Sequence, residues 1–104
     1  MDLEEVGRLA LTHDGVKRKG TEARPKWYVD DRLVRRPDPT SVVIRSGFVA
    51  RERLLGDHPD TFGVPPRFES HMMVVVELDR ADPAAVARAI SEAVELQRRP
   101  FSRR

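Results

Sequence analysis

Two hydrophobic periods run along the chain. Leu3, Val6, Leu9 and Ala10 recur at helical spacing and predict a helix over residues 2–13 with one buried stripe. Asp2 stands at its N-cap position, and Glu5, three residues on, completes a capping-box pattern. Gly15, after His13-Asp14, supplies a stop. From residue 16 the period shortens to that of extended chain. Val16–Thr21, Pro25–Val29, Arg32–Arg36 and Thr40–Arg45 read as four successive strands, the last rich in β-branched residues. Asp30-Asp31 reads as a polar turn and Pro37-Asp38-Pro39 as a break. Such short connections favour an antiparallel meander, because parallel strands need long crossovers.

The second half repeats the alternation. Phe48–Gly56 suits a short helix, Asp57–Asp60 a turn, Thr61–Val64 a short edge strand and Pro65–His71 a loop. Met72–Leu78 is the clearest strand, with Val74, Val76 and Leu78 on one face and Met73, Val75 and Glu77 on the other. Asp82-Pro83 opens a last helix with an N-cap Asp and an N1 Pro. Val86, Ile90, Ala93, Val94 and Gln97 lie near one face of it, and Pro100 ends it. The expected fold is α+β, in the order α-β-β-β-β-α-β-β-α, with helices packed on one face of an antiparallel sheet. The opposite face is then left to solvent or to a partner. With 104 residues the chain suits a single domain over residues 1–99, followed by a basic tail over 100–104.

Composition narrows the chemistry. Apolar residues make up 39% and charged residues 35%, a balance that still supports a core. The absence of cysteine excludes disulfides, thiolate catalysis and cysteine-ligated metals. No apolar run is long enough to span a bilayer, and the acidic start Met1-Asp2-Leu3-Glu4-Glu5 is unlike a signal peptide, so a cytoplasmic protein without a membrane partner is expected. Net charge is only +2, but it is unevenly placed. Residues 15–54 carry eleven Lys and Arg against five acids, and residues 98–104 carry four Arg and no acid. Such blocks create a positive face on a nearly neutral molecule and attract polyanions. Sixteen of the nineteen basic residues are Arg, which suits bidentate phosphate contacts and equally follows from a GC-rich genome.

With the order of elements in hand, the chain resembles the MmcQ/YjbR family. The resemblance runs over nearly the whole length. It is carried by Leu11-Thr12-His13-Asp14-Gly15-Val16, by Pro25 and Trp27, by the segment Leu54-Leu55-Gly56-Asp57-His58-Pro59-Asp60-Thr61-Phe62, and by Val74–Asp79 followed by Asp82-Pro83. It implies a CyaY-like fold and a DNA-binding role through a double-wing arrangement. The pattern departs where relatives carry an aromatic residue and this chain has His71-Met72-Met73, and the middle is shortened and rich in Arg.

The basic block is the first candidate site. Lys17, Lys19, Arg24, Lys26, Arg32, Arg35, Arg36 and Arg45 fall in or beside the meander, and DNA is the partner they suggest. Lys17 and Lys19 face one way and Arg18 the other; Trp27 and Tyr28 also face opposite ways, so one of the two rings can stack on a base and the other can be core. The same charges also suit a solvated strand face. Arg98, Arg99, Arg103 and Arg104 form a second basic element, suited to phosphate or to the negative end of the last helix. His13, His58 and His71 have no metal-ligand spacing, although His58 lies among Asp57 and Asp60. Asp2, Glu4, Glu5, Glu92 and Glu95 are too few to build an iron surface of the frataxin type. Phosphate-binding glycine loops and nucleophile elbows are absent. The expectation is therefore a non-enzymatic protein with no cofactor and no small-molecule substrate. The alternative partner is another protein, met through Val43, Met72, Met73 and Val75 on the open sheet face.

Overall fold

A computed structural model describes residues 1–21, 25–29, 31–38 and 40–98, the two middle ranges as backbone alone. Helix α1 spans Leu3–Leu11 and is closed at its start as its sequence dictates. Asp2 Oδ1 accepts from the Glu5 amide at 2.9 Å, and Glu5 Oε1 accepts from the Asp2 amide at 3.2 Å. Four strands follow: β1 (Lys17–Gly20), β2 (Pro25–Val29), β3 (Asp31–Asp38) and β4 (Ser41–Arg45). Helix α2 (Phe48–Asp57), the short β5 (Phe62–Gly63), β6 (Met73–Glu77) and helix α3 (Pro83–Arg98) complete the order. The result is a small α+β fold with the expected succession of elements.

The strands form one sheet in the order β1-β2-β3-β4-β6-β5, with every pairing antiparallel. Strand β6 thus lies between β4 and β5. Strand β3 is longer than the sequence suggests, because Asp31 and the stretch around Pro37 both belong to it. Two irregularities in register explain this. Between Trp27 and Tyr28 the partner on β3 jumps from Val34 to Arg32, so Leu33 is an extra residue. Between Arg35 and Asp38 the β4 partner moves only from Val43 to Ser41, so Arg36 and Pro37 fall in a second bulge. A bulge tolerates a residue that cannot donate to the ladder. Pro37 therefore interrupts the pairing without ending the strand.

The core lies on one face of this sheet. Val42, Ile44, Val74 and Val76 are fully buried there. Val6 and Ala10 of α1, Leu54 of α2, and Ala85, Val86, Ala89, Ile90, Ala93 and Val94 of α3 join them in one cluster with Val16, Phe62 and Leu78. The alternation expected of β6 holds for Val74 and Val76, in the core, and Glu77, exposed; Leu78, also in the core, lies beyond the strand and opens a second turn of 3-10 helix over Leu78–Arg80. The other face differs from expectation at its centre. Val43 and Val75 stand outside the cluster yet are only 3% and 8% exposed. Met72 and Met73 are half-buried. These four residues therefore present little apolar surface to a partner.

The loop between β5 and β6 is more ordered than its sequence suggests. Pro66–Phe68 forms a turn of 3-10 helix. Arg51, buried on α2, donates through Nη1 to the carbonyls of Phe68, His71 and Met73 and through Nη2 to that of Glu69, at 2.7–3.3 Å. Its guanidinium also lies 4.8 Å from the centre of the Phe48 ring. One side chain thus ties the loop to α2, adding a donor to the Phe68 and His71 carbonyls, which also accept the amides of His71 and Met73.

Candidate nucleic-acid interface

The register of the first three strands decides which of the basic residues belong together. Lys19 stands opposite Lys26, Lys26 opposite Arg35, and Arg35 opposite Val43. Val43 in turn faces Val75 on β6. Residues directly opposite share a face, so this row lies on the side away from the helices. A second row runs beside it. Lys17 stands opposite Tyr28, and Tyr28 opposite Arg32. The bulge at Leu33 makes this possible, since without the extra residue Arg32 would fall on the other alternation. Arg45, half-buried and opposite Met73, lies two residues beyond Val43 on the same alternation and extends the face toward β6.

Six of the eight predicted basic residues are thereby brought to one face: Lys17, Lys19, Lys26, Arg32, Arg35 and Arg45. Arg36 shares the second bulge with Pro37 and takes no ladder position. Arg24 lies outside the described residues, as do Arg99, Arg103 and Arg104. Lys17, Arg18 and Lys19 are all exposed on the edge strand β1. Arg18 stands opposite Trp27, which stands opposite Val34, which stands opposite the buried Ile44. That row belongs to the helix side, so the alternation expected of residues 17–19 and of the Trp27-Tyr28 pair is present in the backbone.

Lys19, Lys26 and Arg35 are like charges at neighbouring strand positions about 5 Å apart. Such pairs destabilise a sheet. The last turn of α3 adds a further cation at the edge. Arg98 Nη2 lies 3.6 Å from the point a Cβ on Gly15 would occupy, at the entry to β1. Helix α3 therefore ends, at Arg98, beside the start of the strand that carries Lys17 and Lys19.

The histidines and acids do other work. His58 Nδ1 lies 3.8 Å from Asp82 Oδ2 rather than pairing with its sequence neighbours Asp57 and Asp60. Asp82 also accepts from the Ala84 amide at 3.0 Å and so caps α3. Thr61, buried between these parts, accepts from the Asp82 amide at 3.1 Å and donates to the Arg80 carbonyl at 3.2 Å. His71 lends its carbonyl to Arg51. Glu92 lies 3.5 Å from Arg53 and 3.8 Å from Arg88. Among the described residues no three or more His, Asp or Glu gather as a metal would require. Among them, too, no helix is long and apolar enough to cross a membrane. Compared with protein-family models, with curated proteins and with solved structures, the chain matches none.

Proposed function

We propose that the chain is a non-enzymatic, DNA-binding protein of the MmcQ/YjbR type with a CyaY-like fold, and that it binds through the basic face of β1, β2 and β3. The observation that carries this reading is the register, which puts Lys17, Lys19, Lys26, Arg32 and Arg35 into two adjacent rows on the face opposite the helices. The order of elements and the resemblance in sequence support it. Affinity comes from phosphate neutralisation with release of counterions, so it is independent of sequence to first order.

The test is fluorescence anisotropy of a labelled random DNA at low salt, repeated as salt rises. If the five cations each meet a phosphate, the logarithm of the binding constant falls with the logarithm of salt with a slope of about −4.5 on a duplex. Absence of binding at about 50 mM salt, where such contacts are strong, removes the reading.

A further inference from the structure

The same face carries a feature that phosphate neutralisation leaves unused. The chain has one tyrosine, and the register places it between Lys17 and Arg32, beside the row Lys19–Lys26–Arg35. An aromatic residue at the centre of a cationic sheet face is of no use to the backbone of a duplex, whose paired bases hide their ring faces. It is of direct use to unpaired bases, which stack on aromatic side chains while cations follow the phosphates. The shape of the face points the same way. Reading a duplex calls for a helix or a two-stranded ribbon that enters the groove. Here α1 and α3 pack on the other side of the sheet, in the core cluster. On the basic side Lys17, Lys19, Lys26, Tyr28, Arg32 and Arg35 all stand on strands of the sheet itself.

The bulge makes the placement specific. It is the extra residue at Leu33 that brings Arg32 opposite Tyr28 and so completes a cation–aromatic–cation row. The two rows stand about 7 Å apart along the strands, and the three strands span about 10 Å, a platform for a few nucleotides rather than for a helical turn of duplex. We infer that the occupant of this face is single-stranded nucleic acid, with Tyr28 the stacking position between Lys17 and Arg32. This rests on the reading of the face as a nucleic-acid interface and specifies the class of strand.

The test compares a labelled 15-nucleotide mixed-sequence single strand with the same sequence as a blunt duplex, at one salt concentration, with the whole chain. The expected result is affinity for the single strand about tenfold or more above that for the duplex. The variant Tyr28→Ala should lose about tenfold on the single strand and leave the duplex within about twofold, while Tyr28→Phe, which keeps the ring, should bind like the original chain. Circular dichroism checks that each variant is folded. Where Tyr28→Ala does not fold, the strand comparison with the unaltered chain and with Tyr28→Phe decides. Equal or tighter binding of the duplex overturns the inference and leaves the basic face standing. Equal losses on both ligands in folded Tyr28→Ala also overturn it. No binding to either ligand overturns the face itself.

Discussion

Lys26 and Arg35 stand directly opposite one another on β2 and β3, and Lys19 faces Lys26 from the other side. Three cations therefore occupy one cross-strand row. Natural sheets place like charges opposite each other at a cost of a few tenths of a kcal/mol per pair. Replacing Arg35 by Gln should leave stability to urea unchanged or raise it by up to about 0.5 kcal/mol, and should weaken DNA binding with a salt slope smaller by about 1. Urea titration and anisotropy read the two effects separately. Unchanged binding would take Arg35 out of the interface.

Alternation on β1 gives a sharper contrast. Lys19 and Arg18 are neighbours, both exposed, and join different rows. Lys19→Gln should weaken DNA binding by about three- to tenfold at low salt, whereas Arg18→Gln should change it by less than about twofold. A larger loss for Arg18 would reverse the assignment of the two faces.

Trp27 reports on the helix side. Its row continues through Val34 to Ile44, which is fully buried. As the one tryptophan of the chain it gives an unambiguous signal. Its emission should be blue-shifted and poorly quenched by iodide, and both properties should change together on unfolding. Red-shifted, freely quenched emission from the folded protein takes Trp27 out of the core.

Arg51 tests what holds the β5–β6 loop. It gives four hydrogen bonds to carbonyls and has little exposed surface. Arg51→Met keeps much of the volume and loses the donors. Hydrogen bonds from charged groups count for more than neutral ones and four are lost together, so a loss of about 3 kcal/mol in urea is expected. Arg51→Lys should recover only part, since one ammonium cannot reproduce the planar fork.

Much of this architecture is legible locally. Asp2 and Glu5 announce the start of α1, Asp82-Pro83 announces α3, and the alternation through Val74, Val75 and Val76 announces β6, because each signal involves residues within one turn or one strand. What is not legible depends on distant partners. Pro37 reads as a break since a lone sequence cannot reveal that a bulge will absorb it. Arg51 resembles any surface arginine, because its partners are backbone carbonyls seventeen to twenty-two residues away. Thr61 is hidden for the same reason, as its links to Arg80 and Asp82 close a gap of about twenty residues. The basic block is visible as composition, but its division between the two faces of the sheet depends on two bulges. Leu33, which sets the side on which Arg32 falls, carries no signal of its own.

The position of the charges, and not their number, sets the binding. The direct measurement compares two triple variants of equal net charge by anisotropy with a labelled DNA single strand at about 50 mM salt. One removes Lys19, Lys26 and Arg35 by substitution with Gln. The other substitutes Gln for Arg8, Arg67 and Arg80, which are exposed on α1 and on the two 3-10 turns. The first should weaken binding by at least about thirtyfold and the second by less than about threefold. Equal losses would mean that the molecule's overall charge, and not the β1–β2–β3 face, attracts the nucleic acid.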